Sequence, residues 1–286
     1  MSLELIEQTA FDPNSDEPLA MNEALVADWL TDFIRDELVR RRSFGKCVVG
    51  VSGGVDSALV AYLCARAIGP ENVYGVRMPY RTSSQDSLDH GQMVIDALGI
   101  HGDTIDISAA VDGYLQNEPE ADGRRRGNVM ARTRMIVLFD QSEKRRALPV
   151  GTGNKTERLF GYFTWHADDS PPINPLGDLF KTQVWRLSRY LGVPEVIVGK
   201  PASADLVVGQ TDELDFGITY ARADRILSYL LRGYQSDRLE SMGFDPAEVA
   251  LVKKRVDGTH WKRHLPTTAM LSATSINDYY LRPVDY

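Results

Sequence analysis

Four short apolar runs, each followed by a stretch of helical spacing, restrict this chain to a small set of folds. The runs are KCVVGV (46–51), NVYGVRM (72–78), DTIDI (103–107) and LPVGTG (148–153). Between them, residues 57–69, 84–98, 108–116 and 124–146 carry helix-like patterns, with stops such as Gly69-Pro70 and Gly99. Strands that alternate with helices need right-handed crossovers, and these cover both faces of a mainly parallel sheet. The expected class is α/β, a doubly wound three-layer sheet with a helical C-terminal part. Residues 21–42 precede the first strand and are predicted to form an amphipathic helix with Leu25, Trp29, Phe33 and Leu38 at helical spacing, an apolar face that suits the chain's own sheet or an interface equally. Beyond residue 160 the signals are helices and loops broken by Pro171, Pro172, Pro175, Pro194 and Pro201. With 286 residues and 43% hydrophobic content the chain has material for a large core. It is read as one domain: an N-terminal segment and helix (1–43), an α/β core (44–235) and a helical or irregular end (236–286).

Charge and cysteine content narrow the function classes. Forty acidic against 32 basic residues give a net charge of −8, which disfavours a general nucleic-acid backbone binder. The short basic cluster Arg124–Arg126 reads as a solvated helix start. The two cysteines, Cys47 and Cys64, fall in a strand and a helix and read as buried free thiols, which suits a reducing compartment. The first residues, MSLELIEQTA, lack the pattern of a signal peptide, and no run approaches the roughly 18 apolar residues of a membrane span. A cytoplasmic protein with no membrane or nucleic-acid partner is expected.

The chemistry starts at CVVGVSGGVDS (47–57). Gly53 and Gly54 follow an apolar strand and open a helix, where free N–H groups and the helix dipole can cradle a phosphate. Ser52 and Ser57 add hydroxyls. By itself the glycine pair fits equally a tight strand–helix turn with a serine cap. Asp56 separates the two readings. A carboxylate in a phosphate cradle needs a cation between it and the ligand, and Mg²⁺ is commonly held by one or two carboxylates plus phosphate oxygens. The loop is not a Walker A sequence, since no lysine follows the glycines, and no G-x-G-x-x-G occurs there.

S-G-G-x-D-S after a strand resembles the pyrophosphate loop of the N-type ATP pyrophosphatases, whose sheet is of the adenine nucleotide alpha hydrolase-like, Rossmann-like type. These enzymes split ATP between the α- and β-phosphates and transfer AMP. Further segments resemble the ammonia-dependent NAD synthetases: GNVMARTRM (127–135), GTGNKTE (151–157), GYFT (161–164), NPLGDLFKTQ (174–183), KPASADL (200–206), GQTDELDFGITY (209–220) and WKRHLP (261–266). The resemblance runs from about residue 20 to 266. It implies that ATP adenylates the nicotinate carboxylate of deamido-NAD and that ammonia then displaces AMP. It implies an ATP site made of Gly50, Val51, Ser52, Gly53, Gly54, Val55, Asp56, Ser57, Thr152, Lys181 and Ser203, with Asp56 and Glu157 as Mg²⁺ ligands. Arg132 and Lys262, with Trp165, Asp168 and Trp261, would meet deamido-NAD. The family also implies a homodimer. No segment corresponds to the nitrilase-like domain of glutamine-dependent relatives, so ammonia is free or delivered by another chain. The loop from Phe160 to Asp178 is the natural lid over a water-sensitive acyl-adenylate.

The departures from the family pattern fall on the acceptor side. WHADDSPP (165–172) replaces the usual K-Y-G-D-G-G-x-D, so Trp165 stands where a lysine is expected and Pro172 where an aspartate is. Trp261 replaces the histidine of a His-Lys pair, while Lys262 remains. Two other readings therefore stay open: adenylation and amidation of a different carboxylate, and a non-catalytic ATP-binding protein. The presence of both Asp56 and Glu157 speaks against the second. His260 and His264 share the spacing of a zinc pair but have no third ligand in sequence.

Overall fold

The computed structural model describes residues 12–203, 211–264, 267–269 and 271. Its sheet has four parallel strands, β1 (Cys47–Gly50), β2 (Val73–Arg77), β3 (His101–Thr104) and β4 (Leu148–Val150), in the order β3-β2-β1-β4. β1 pairs with β2 from Cys47↔Val73 to Gly50↔Val76, and with β4 from Cys47↔Leu148 to Val49↔Val150. The chain winds outward from β1 to β3, then crosses back to place β4 on the other side of β1. The end of β1 is therefore a topological switch point, where open α/β sheets bind ligands.

Twelve α-helices surround the sheet among the described residues. The first five are α1 (Glu23–Arg35), α2 (Val55–Ile68), α3 (Gln85–Leu98), α4 (Ser108–Leu115) and α5 (Gly123–Arg145). Next come α6 (Lys155–Phe160), α7 (Lys181–Tyr190), α8 (Glu195–Val198) and α9 (Asp212–Phe216). The last are α10 (Tyr220–Leu230), α11 (Ser236–Ser241) and α12 (Pro246–Thr259), followed by a 3₁₀ turn, His260–Arg263. Alternation along β1 explains the layering. Cys47 and Val49 enter the core shared with α1, α2 and α7, and Val48 faces Leu138 of α5 across the sheet. Burial on both faces accounts for the unbroken apolar run. The C-terminal helices form a second cluster around Phe160, Phe216 and Tyr220. Trp185 of α7 packs against both clusters and joins them. Both cysteines are buried free thiols.

One expectation needs correction, and one point left open by the sequence is decided. The third strand lies at His101–Thr104, two residues ahead of DTIDI, because Gly99 ends α3 in a left-handed turn and the chain pairs with β2 at once. In α1 the buried face is Ala27, Thr31 and Ile34, continued by Leu38, whereas Leu25 and Trp29 are 64% and 73% exposed. Close packing on α2 and α7 selects the smaller residues, and the two bulky ones lie on the adjoining solvent face.

Candidate active site

A cavity of about 330 Å³ opens above the carboxyl end of the sheet. The turn after β1 forms one wall. Gly53 has φ of +81°, and a Cβ there would lie 2.1 Å from the Ser87 carbonyl oxygen, so only glycine fits. The two serines brace the turn. Ser52 and Ser57 hydroxyls are 3.1 Å apart, Ser57 Oγ donates to the Gly54 carbonyl at 3.0 Å, and Ser52 N–H donates to Ser57 Oγ at 3.2 Å. Asp56 lies in the first turn of α2, with its carboxylate at the cavity.

Three segments distant in sequence meet at that carboxylate. Lys181 Nζ, at the start of α7, donates to Asp56 Oδ2 at 2.5 Å and lies 3.6 Å from Glu157 Oε1. Asn154 Nδ2 donates to Asp56 Oδ1 at 2.9 Å. Asn154 also caps α6: its Oδ1 accepts from Glu157 N–H at 3.0 Å, and Glu157 Oε2 accepts from Asn154 N–H at 3.3 Å. This reciprocal capping box holds Glu157 beside Asp56. The side chains of Lys181, Asp56 and Glu157 are 3%, 17% and 19% exposed, so their charges act in a poorly screened space. Burial and the neighbouring Asp56 carboxylate push Glu157 up to about 8. Burial works against the Lys181 ammonium, but Asp56 and Glu157 outweigh it and hold it above its ordinary value.

A buried aspartate fixes the two helices that carry these groups. Asp224 of α10 accepts from Thr156 Oγ1 (2.6 Å), Thr182 N–H (2.9 Å) and Thr182 Oγ1 (2.8 Å). Thr156 Oγ1 in turn accepts from Lys181 N–H at 3.1 Å. The N-terminal turns of α6 and α7 are thereby clamped together. Burial pushes Asp224 up to about 6.

Of the residues expected at ATP, Gly50, Val51, Ser52, Gly54, Val55, Asp56, Ser57, Thr152, Lys181 and Ser203 line the cavity, as does Glu157. Gly53 lies within the turn that walls it. The remainder of KPASADL, residues 204–206, is outside the described residues, as are Gly209, Gln210, Leu265 and Pro266 of the other two motifs.

The acceptor-side residues sit differently. Asp168 lines the cavity and accepts from Thr164 N–H at 2.8 Å. Arg132 is exposed and donates to the Trp165 carbonyl at 2.9 Å. Lys262 Nζ donates to the carbonyls of Gly161 and Phe163 and lies 4.2 Å from the Phe163 ring centre. Both cations thus pin the loop that follows α6. Two of the three departures, Trp165 and Trp261, touch edge to face at 5.2 Å, although 96 residues separate them. Pro172 is exposed. The 160–178 segment is tied to β4 through the Val150↔Ile173 bridge and through Asn174 Nδ2, which donates to the Gly153 carbonyl at 2.8 Å. Its Tyr162, Asp168 and Pro171 line the cavity.

Sequence reasoning missed several cavity residues. Arg134 lines the cavity and donates to the Met78 carbonyl at 3.2 Å. Lys200 lines it too and donates to Ser87 Oγ at 2.9 Å. Asp212 and Asn154 are buried. The N-x-x-E spacing of Asn154 and Glu157 was a readable capping signal; nothing local marked Arg134 or Asp212. Among the described residues no group of three His, Cys, Asp or Glu side chains could hold a metal, and His260 with His264 forms none.

Comparison with known proteins agrees with this geometry. The NAD synthase family model matches residues 26–266. The chain belongs to the NAD synthase family. It is 43% identical over 256 residues to the NH₃-dependent NAD⁺ synthetase of Chlorobaculum parvum, covering 89% of this chain and 92% of that protein. The NH₃-dependent NAD synthetase of Campylobacter jejuni superposes with a TM-score of 0.76 at 30% identity, over 87% of this chain and all of that one. The NMN synthetase of Francisella tularensis superposes with a TM-score of 0.78 at 28% identity, over 87% and 99%. No helix among the described residues is long and apolar enough to cross a membrane.

Proposed function

We propose that this chain is an ammonia-dependent NAD synthetase. The observation that carries the reading is the meeting of Asp56, Glu157 and Lys181, from three segments, at the switch point beneath the glycine turn. Residues 50–57, Thr152, Lys181 and Ser203 bind ATP. An oxygen of the nicotinate carboxylate attacks the α-phosphorus, the bond to the bridging oxygen of the β-phosphate breaks, and pyrophosphate leaves with the electron pair. Ammonia adds to the acyl carbon of the adenylate, AMP departs, and the nitrogen loses a proton to give the amide. Lys181 and Lys200 offer positive charge for the pyrophosphate, the kind of preorganised stabilisation that lowers such barriers.

The donor set fits Mg²⁺. Asp56 and Glu157 are hard oxygen donors side by side, and two carboxylates completed by phosphate oxygens suit this ion. They are the residues that would hold it, and bound there it neutralises phosphate charge. The acceptor is assigned to the side of Arg132, Trp165, Asp168, Trp261 and Lys262, and the whole chain is read as one domain. A homodimer is part of the same proposal. It is supported by the exposed Leu25 and Trp29 on α1, and by Ile136 and Phe139 on α5, which are 70% and 40% exposed. A cytoplasmic location goes with the buried free thiols.

A second reading is favoured by Trp165 and Trp261 and by the likeness to a protein described as an NMN synthetase: the acceptor is a smaller nicotinate nucleotide. One assay separates the two. Ammonia-dependent release of AMP and pyrophosphate is measured with deamido-NAD and with nicotinate mononucleotide. Higher kcat/KM with deamido-NAD is expected. Turnover with the mononucleotide alone would establish the second reading, and no pyrophosphate exchange into ATP with either acid would refute both.

A further inference from the structure

Lys181 occupies the place that the metal reading assigns to a cation. Its ammonium bonds to Asp56 and faces Glu157, the two carboxylates that Mg²⁺ would need. One of their present partners must yield. Asn154 is fully buried and locked by the capping box, so it is a poor candidate. The Lys181 side chain has four rotatable carbons and can re-aim its head group from a fixed backbone.

A destination exists in the same cavity. Asp212 lines it and is only 4% exposed; its Oδ1 makes no hydrogen bond of good geometry, and the Tyr162 hydroxyl, which donates to Asp215 at 2.7 Å, lies beside the carboxylate. Its other oxygen accepts from Tyr220 O–H at 2.8 Å, and its backbone N–H donates to the Ala202 carbonyl at 2.9 Å. The carboxylate is thus held in place with one oxygen unused. Leaving a buried acceptor unsatisfied is costly and calls for an explanation. Tyr220 links the two residues: the Lys181 ammonium lies 5.4 Å from its ring centre, and its hydroxyl holds Asp212.

We infer that Asp212 is a positioning residue for Lys181, the seat to which the ammonium moves when a divalent cation takes Asp56 and Glu157. The inference rests on the metal reading above and deepens it. In the ligand-free protein Lys181 bonds to Asp56 and stands beside Glu157. With Mg²⁺ and ATP bound, the metal takes that place, and Asp212 retains the displaced lysine at the cavity wall within reach of the departing pyrophosphate. The seat also prevents the buried ammonium from being left unpaired.

The test is a titration of Mn²⁺ followed by the electron paramagnetic resonance of the free ion, with an α,β-methylene analogue of ATP. Wild type, Asp212→Asn, Lys181→Met and the double variant are compared. Asp212→Asn keeps the shape and an acceptor for Tyr220. Lys181→Met is expected to tighten Mn²⁺ binding to the nucleotide-free protein several-fold. Asp212→Asn is expected to weaken it about tenfold when Lys181 is present and clearly less when it is absent, a coupling typical of contacting groups. An equal loss in both backgrounds would mean that Asp212 acts on the metal directly or through its field, and would overturn the inference. A lower thermal midpoint with unchanged Mn²⁺ affinity would reduce Asp212 to a structural role and overturn it as well. Absence of Mn²⁺ binding to the wild type would remove the metal reading, and this inference with it.

Discussion

The two sides of the cavity are built on different principles. On the β1–α2 side the charged groups are nearly buried, bond to one another, and sit on helix starts clamped from within the core by Asp224. On the 161–172 side Arg132 is exposed, Trp261 is 50% exposed, and the cations Arg132 and Lys262 bond to backbone carbonyls. Charges set in a poorly screened core cannot be exchanged without leaving a partner unpaired, whereas an exposed aromatic corner can be rebuilt at small cost. This difference accounts for the sequence pattern: the motifs on the buried side follow the family, and the departures at 165, 172 and 261 all lie on the other side.

Breaking the buried side should have the largest effect. Asp56→Ala is expected to lower pyrophosphate exchange into ATP by at least about 10³-fold, with the acceptor KM little changed. Retained exchange would remove Asp56 from the chemistry and with it the contrast between the two sides. The clamp comes next. Asp224→Ala leaves the Thr156 and Thr182 hydroxyls and the Thr182 N–H without this acceptor, and denaturant unfolding should show a loss of about 2–3 kcal/mol. A loss below the error of the method would mean that the two helix starts are not held by this residue.

The acceptor side should respond more selectively. Trp165→Ala or Trp261→Ala is expected to raise the acceptor KM about tenfold, as removal of a stacking surface does, with the ATP KM within about twofold. The double variant should fall short of the product of the two, since the rings touch. An equal rise in both KM values would show that the two sides are not separable. The smallest effect concerns pH. Glu157 has a folded-state value raised from 4.5 to about 8, so the ligand-free fold holds its proton more tightly than the unfolded chain. That stabilisation is complete below about 4.5 and is lost as pH rises through about 8. Thermal midpoints of the ligand-free protein should decline across this window and recover on adding Mg²⁺ with the ATP analogue. A decline that persists in Glu157→Gln would assign the effect to another group.

Much of the buried side was legible because its signals are local. The turn at 52–57 reads from glycines and serines between an apolar run and a helix, and the capping box reads from Asn154 and Glu157. The layer order follows from strand–helix alternation, and the short strands were found within three residues at either end. Periodicity alone did not say which apolar residues of 23–35 pack inside the chain; close packing on α2 and α7 buries Ala27, Thr31 and Ile34. Arg134 and Arg132 carry the same local signal, and only the packing of α5 against the sheet sends one into the cavity and the other to the surface loop.

The sequence by itself determined the sheet class, the glycine turn and the residue types of an adenylating site, because backbone geometry, periodicity and charge type are written within a few neighbouring residues. Tertiary structure alone decided that Lys181 stands between Asp56 and Glu157, that Asp212 faces them with an unused oxygen, and that Trp165 and Trp261 form one corner. Those pairings join residues 24 to 156 positions apart, and they depend on where crossovers set helix ends in space, which no local pattern encodes.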